Sequence, residues 1–281
     1  MHSLFQDLGL SVFSVCLQSS IGMIFFVAIF KFRYKKEFCL PAIIAAILAV
    51  IGVLSSFLHL GNPMNAYLTM SNLSSSWLSR EIFFTSLYTG LVCAYALILY
   101  TGKFKGILTL ACILSLLAGI FDLYVMSQAY ISTSVPFWDS ANTYFEYYLS
   151  AIMLGAIFFY TFTYKKISLN FYVFGIVILV LAGMLSLSYV LHGLGLSQGS
   201  LAAKQSASIL FSYSSLILLI SILGAMSIFL FFTQGIRSTP NKQCYTAINL
   251  PLAATVFLFI AAVLAKLIFY VAMVTTTVGL Q

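Results

Sequence analysis

The sequence predicts an all-α integral membrane protein with eight transmembrane helices. The prediction rests on composition, on long apolar runs and on the placement of basic residues. Of the 281 residues, 62% are hydrophobic and only 7% are charged, whereas soluble domains carry about a quarter charged residues. The apolar runs are continuous and contain glycine, which favours helices over the alternating strands of a membrane barrel. We therefore expect one transmembrane helical domain over residues 1–281.

Eight apolar runs are each long enough to cross a bilayer as a helix. In sequence order they cover residues 10–30, 40–60, 81–100, 107–130, 144–164, 169–191, 209–232 and 247–274.

The first four runs have recognisable boundaries. The first ends at a basic cluster that begins with Lys31, and the second ends before Pro63, which cannot continue a helix. A serine-rich segment with helix-capping side chains precedes the third run, which opens at Glu81. Lys103 separates the third run from the fourth, which contains Asp122.

The last four runs are bounded in the same way. Basic residues at Lys165 and Arg237 follow the fifth and seventh runs, and the sixth ends at His192, just before two glycines. The eighth run is interrupted only by Lys266.

The basic residues also predict the orientation. Ten of the 13 lysines and arginines follow odd-numbered runs: Lys31, Arg33, Lys35, Lys36, Lys103, Lys105, Lys165, Lys166, Arg237 and Lys242. The positive-inside rule therefore predicts cytoplasmic odd-numbered loops and periplasmic termini. The net charge of +7 is explained by this topology and does not call for nucleic acid.

Most ionisable residues of the runs lie toward the outer face. They are His59, Glu81, Asp122, Glu146, His192 and Lys266. Because the inner half is almost free of such groups, we expect chemistry confined to one side of the membrane.

Several of these residues have ordinary interpretations. We expect Glu146 to be solvated near a helix start and His192 to reach for water at the membrane boundary. Lys266 either extends to the outer head groups or pairs with an acid such as Glu81 or Asp122. Asp122 lies deep in its run, where a carboxylate normally pairs or functions, so it is a possible proton-path residue.

His59 and Glu81 are the candidate catalytic residues. The loop between the second and third runs returns the polypeptide to the same face, so the two side chains can face each other across adjacent helices. An imidazole and a carboxylate at the rim of an apolar cleft suit a lipid-soluble hydroxylated ligand such as a quinol. The five cysteines form no Cys-x-x-Cys pair, so we predict no metal site and no iron–sulfur ligation on this chain.

Four segments resemble the membrane-anchor subunit of anaerobic dimethyl sulfoxide reductase. The segment His-Leu-Gly-Asn-Pro-Met-Asn-Ala-Tyr at 59–67 is similar to that family's His-Leu-Gly-x-Pro-Met-x-Ala-aromatic motif. Leu-Ser-Arg-Glu-Ile at 78–82, Val-Pro-Phe-Trp at 135–138 and Lys-Leu-Ile-Phe-Tyr at 266–270 resemble further family segments. Two positions depart from the pattern: Lys266 replaces an expected arginine, and Ala262 replaces an expected acid.

The resemblance implies a bacterial inner-membrane subunit that oxidises menaquinol without haem. Electrons would pass to a partner subunit with iron–sulfur clusters and then to a catalytic subunit with molybdopterin, so this chain would have no S-oxide-reducing site. The family's quinol-linked histidine and acid carry over to His59 and Glu81. Our predicted quinol-binding residues are His59, Gly61, Pro63, Arg80, Glu81 and Lys266. The implied partners also include membrane lipid.

Three alternatives stay open on the sequence alone. A related anchor of a polysulfide or tetrathionate reductase would look the same, because nothing here touches the terminal substrate. A haem b carrier would need two facing imidazoles, and His59 and His192 end different runs. A transporter would be expected to show paired broken helices in two halves, and no convincing internal repeat is present.

Overall fold

The computed structural model describes residues 4–59, 72–167, 169–237 and 249–276, and all regular secondary structure in these ranges is helical. The α-helices in order are α1 (Leu4–Tyr34), α2 (Cys39–Ser56), α3 (Trp77–Thr101), α4 (Leu108–Ile131), α5 (Ala141–Thr163), α6 (Phe171–Ser197), α7 (Leu201–Ser212), α8 (Ser214–Arg237) and α9 (Leu250–Val271). A 3₁₀ turn, Phe57–His59, follows α2, and another, Lys105–Ile107, precedes α4.

Eight of these helices are long and apolar enough to cross a membrane, and only the short α7 is not. The described part of the protein therefore confirms the predicted number of spans. The predicted seventh run has the wrong start, because residues 209–212 belong to α7. Tyr213 leaves the helical conformation (φ −90°, ψ 23°), and α8 begins at Ser214.

The helix α1 forms the centre of the bundle and packs against α2, α4, α5 and α9. Its buried face carries Ser14 and Ser20, both 0% exposed. Ser14 Oγ lies 2.6 Å from the hydroxyl of Tyr270 on α9, and Ser20 Oγ lies 2.6 Å from the hydroxyl of Tyr88 on α3. Small residues and interhelical hydrogen bonds hold helices together where lipid removes the hydrophobic driving force.

The backbones of α1 and α5 touch at a pair of glycines. A Cβ atom on Gly22 would lie 1.8 Å from the carbonyl oxygen of Ala151, and one on Gly155 would lie 2.1 Å from the carbonyl carbon of Gly22. Only glycine allows this close approach. The crossing fixes α5, and with it Glu146, against the central helix.

The helices α6 and α8 are the least embedded spans. Only 17% and 11% of the residues in their most apolar windows are buried. Exposed side chains such as Leu187 on α6 and Phe229 on α8 give them apolar outer surfaces, as expected of helices that face lipid.

Candidate functional site

Four buried ionisable side chains lie on four different spans of the described bundle. Glu81 (α3), Asp122 (α4), Glu146 (α5) and Lys266 (α9) are 5%, 0%, 6% and 1% exposed. Glu81 and Glu146 lie near the starts of their helices, and Lys266 lies near the end of α9. The predicted clustering toward one end of the bundle therefore extends to buried groups.

Lys266 forms an ion pair with Glu146. Its ammonium Nζ lies 2.6 Å from Glu146 Oε2, and the two side chains are only 1% and 8% exposed. The cation also lies 3.5 Å from the ring centroid of Tyr147 and 4.1 Å from that of Phe269, so aromatic faces complete its surroundings.

This pair corrects two interpretations from the sequence. Lys266 does not extend to the head groups. It pairs with an acid, as the other interpretation expected, but that acid is Glu146 on α5 and not Glu81 or Asp122. Glu146 is not solvated, since the packing of α5 against α9 buries its carboxylate beside the lysine.

Glu81 and Asp122 each keep a carboxyl oxygen without a hydrogen-bond partner among the described residues. Thr85 donates its hydroxyl to Asp122 Oδ1 over 3.0 Å, and Asp122 Oδ2 has no partner there. Glu81 lies one helical turn before Thr85 on α3 and has the same deficit at Oε1. The site therefore offers two buried carboxyl oxygens that can form hydrogen bonds with the hydroxyl groups of a ligand.

A tyrosine cluster lies among these groups. The hydroxyls of Tyr130 (α4) and Tyr270 (α9) are 3.1 Å apart, and the ring centroids of Tyr130 and Tyr147 (α5) are 6.2 Å apart. None of these tyrosines is among the site residues predicted from the sequence. Of the three, the sequence could have indicated only Tyr270, because it follows Lys266 at the i+4 position on the same helix face.

The segment between α4 and α5 is fastened to α9. The Trp138 indole N–H donates to the backbone oxygen of Phe269 over 2.8 Å, and the two rings stack at 5.6 Å. His192 contacts the same segment, with Nε2 2.9 Å from the backbone oxygen of Phe137. His192 is half-buried, so it contacts this segment in addition to the boundary position predicted from the sequence.

Arg80 holds the start of α3. Its Nε and Nη2 atoms donate to the backbone oxygens of Leu73 and Ser74 over 2.8 and 2.7 Å, and its guanidinium lies 4.2 Å from the Trp77 ring centroid. Ser76 accepts from the backbone N–H of Ser79 and caps α3, as the serine-rich segment predicts.

The remaining predicted site residues follow α2. The backbone of His59 ends the 3₁₀ turn, and its side chain is outside the description, as are Gly61 and Pro63. No group of three or more His, Cys, Asp or Glu side chains that could hold a metal occurs among the described residues.

Comparison with known proteins decides the family. The sequence profile described as "DMSO reductase anchor subunit (DmsC)" matches residues 1–272. The protein belongs to this anchor-subunit family. The resemblance seen in the sequence is thereby confirmed.

Three relatives carry names from the same family. The C subunit of anaerobic dimethyl sulfoxide reductase from Haemophilus influenzae is 32% identical over 161 residues, which is 55% of this protein and 58% of the relative. The anaerobic dimethyl sulfoxide reductase subunit YnfH of Escherichia coli is 25% identical over 218 residues, 74% of this protein and 75% of the relative. The corresponding C subunit of Escherichia coli is 31% identical over 113 residues, 40% of this protein and 39% of the relative. The first of these matches thus spans little more than half the length of the Haemophilus relative. No solved structure matches the sequence.

Membership of the anchor-subunit family fits the eight apolar spans. Ala262 is a departure from the family pattern, because the resemblance leads us to expect an acid at this position. The carboxylate that neutralises Lys266 comes from Glu146 on α5 instead of from the neighbouring turn of α9.

Proposed function

We propose that this protein is the membrane anchor and menaquinol-oxidising subunit of a molybdenum-containing dimethyl sulfoxide (S- or N-oxide) reductase in the bacterial inner membrane. The observation that carries the proposal is the pair of buried carboxyl oxygens without partners among the described residues, on Glu81 and Asp122, in a member of the anchor-subunit family. Menaquinol has two hydroxyl groups that can form hydrogen bonds with these carboxyl oxygens.

The reaction assigned to this site is the loss of two protons and two electrons from the quinol. His59 and Glu81 accept hydroxyl protons as general bases. Lys266, or Arg80 at the rim, supplies positive charge, and Gly61 and Pro63 belong to the same proposed quinol-binding set as His59. Asp122 lies one hydrogen bond from Thr85 on the helix that carries Glu81, which suits it to pass a proton onward.

The electrons leave to partner subunits. An iron–sulfur subunit docked on the outer face accepts them one at a time, and a molybdopterin subunit uses two electrons and two protons to reduce the S-oxide to sulfide and water. Proton release and uptake then occur on the same side of the membrane. The positive-inside distribution supports a location of both termini on that outer side.

Replacement of Glu81 by glutamine in the assembled complex tests the site. The amide keeps the shape of the carboxyl and cannot accept the proton, so we expect menaquinol-dependent turnover to fall at least tenfold, given that general bases contribute roughly 10²–10⁴-fold. Reduction with an artificial dye as electron donor should be unchanged. Replacement of His59 by arginine should give the same pattern.

Glu37→Gln is the matched control. Glu37 is a carboxylate that follows the C-terminal end of α1, and it pairs with Lys31. This variant should leave quinol-dependent turnover intact. Full quinol-dependent activity in the Glu81→Gln complex would remove Glu81 from the site.

A further inference from the structure

A cavity is bordered by Glu146, the ion-pair partner of Lys266. It has a volume of about 390 Å³ and is lined by residues of α1, α5, α6, α8 and α9. Among the described residues, none that lines it comes from α3 or α4, which carry Glu81 and Asp122. Its volume lies within the range of roughly 300–1,000 Å³ that small-molecule sites occupy.

The cavity has apolar walls and a polar patch. Leu179 on α6, Ile228 on α8 and Leu258 on α9 contribute to the walls. The patch consists of Gln18, Glu146, Ser150 and Tyr189, which we call the polar end. Its members are close together, because Ser150 Oγ is 2.8 Å from Gln18 Oε1 and lies one turn after Glu146.

The polar end has unused hydrogen-bonding capacity. Gln18 is 1% exposed, and its Nε2 has no partner among the described residues. Ser150 Oγ is also 2.5 Å from the backbone oxygen of Glu146, to which it can donate its single hydroxyl hydrogen. Whichever way the Gln18 amide is turned, Ser150 serves only one of its two polar atoms. The buried Tyr189 hydroxyl likewise has no partner there.

These unpartnered atoms point to a ligand. A buried polar group without a partner destabilises a fold by roughly 1–3 kcal/mol, and here Gln18 and Tyr189 both line one cavity. A ligand with hydrogen-bonding groups on an otherwise apolar body would satisfy both.

The charge balance and the position select the class of ligand. Lys266 already neutralises Glu146, so the polar end has no free charge for a phosphodiester or an ammonium head group. The cavity is walled by α6 and α8, the two spans least buried in the bundle, so the ligand comes from the bilayer.

We propose that this cavity binds a second quinone-class lipid, with its ring carbonyl or hydroxyl groups at Gln18 and Tyr189. The inference rests on the proposed function only in taking the membrane quinone pool as the source of the ligand. The ring would lie beside Glu146, and the isoprenoid tail would lie along Leu179 and Ile228 toward the lipid.

Two glycines make the cavity testable. Gly183 on α6 and Gly224 on α8 both line it, and a Cβ atom built on either meets no atom within 4 Å. Leucine can therefore be placed at either position beside the cavity without a clash at its Cβ atom, and we expect it to narrow the cavity. Gly90 on α3 has the same open surroundings and does not line the cavity, so Gly90→Leu is the matched control.

The experiment is photo-crosslinking of the purified complex with a menaquinone that carries an azide on its ring, followed by mapping of the labelled peptides. In the wild type we expect label on α6 and α8 in addition to any label near α3. Gly224→Leu should lower the α6 and α8 label at least tenfold, and Gly90→Leu should not. Tyr189→Phe, which loses one hydrogen bond of roughly 0.5–1.5 kcal/mol, should weaken labelling about two- to tenfold.

Several results would overturn the assignment. They are a wild type labelled only near α3 and α4, equal labelling of Gly224→Leu, and displacement of the probe from α6 and α8 by excess photoinert phospholipid. The Glu81→Gln complex separates this inference from the proposed function. It should lose quinol-dependent turnover and keep the α6 and α8 label. If it retains turnover and the label still depends on Gly224, the catalytic assignment fails and the second site stands.

Discussion

Breaking the buried ion pair should destabilise the protein more than removing both charges together. Lys266→Met leaves the Glu146 carboxylate without its only cation among the described residues, at a site where the side chains are 1% and 8% exposed and the charged atoms are 2.6 Å apart. Loss of one partner of a buried pair costs roughly 3–5 kcal/mol of unfolding free energy. Lys266→Met also removes the cation from the rings of Tyr147 and Phe269. We therefore expect a loss toward the upper end of that range.

The double variant Glu146→Leu with Lys266→Met tests the reasoning. Apolar replacement of both partners of a buried pair is often neutral, so it should cost far less than the sum of the single changes. The measurement is reversible unfolding of the purified protein by sodium dodecyl sulfate in mixed micelles, applied to both single variants and the double variant. Additivity of the two single losses within roughly 0.5 kcal/mol would show that the charges do not interact, and the assignment of the pair would be wrong.

Two packing features make further predictions. Gly22→Ala should prevent the close crossing of α1 and α5 and strongly reduce the yield of folded protein in size-exclusion chromatography. Gly90→Ala is the control, because its Cβ atom meets no atom within 4 Å, and it should not reduce the yield. Equal yields of the two variants would contradict the crossing. Trp138→Phe should keep the ring contact with Phe269 and lose the indole hydrogen bond, which lowers the unfolding free energy by roughly 1–3 kcal/mol. An unchanged unfolding curve would mean that this hydrogen bond contributes nothing.

The number of spans was predictable because lipid imposes a length and a composition on each helix. The same reasoning missed the break at Tyr213, although Ser212, Ser214 and Ser215 flank it, because long apolar stretches on both sides extend the run across these serines. The N-cap of α3 was predictable, since Ser76 and its neighbours form a local capping pattern. Local chemistry and bilayer thickness act on neighbouring residues, so both leave a readable pattern in the sequence.

The partners of the buried charges were not predictable in the same way. Lys266 is 120 residues from Glu146 along the sequence, and only the packing of α5 against α9 brings them together. The place of Glu146 near a helix start predicted a solvated side chain, a rule that holds where that helix end is exposed. Here the start of α5 is packed against α9, and this packing buries the Glu146 side chain.

The pairing of Glu146 changes what the other acids can do. With Lys266 occupied by Glu146, Glu81 and Asp122 are left as the buried acids without an ion-pair partner among the described residues. A structural acid in this setting would be expected to use all of its oxygens in hydrogen bonds, and these two do not. That deficit is the physical reason to look for a ligand with hydroxyl groups beside α3 and α4. A substitution that places a hydrogen-bond donor of the protein itself beside these carboxyl oxygens should therefore weaken quinol binding without unfolding the bundle.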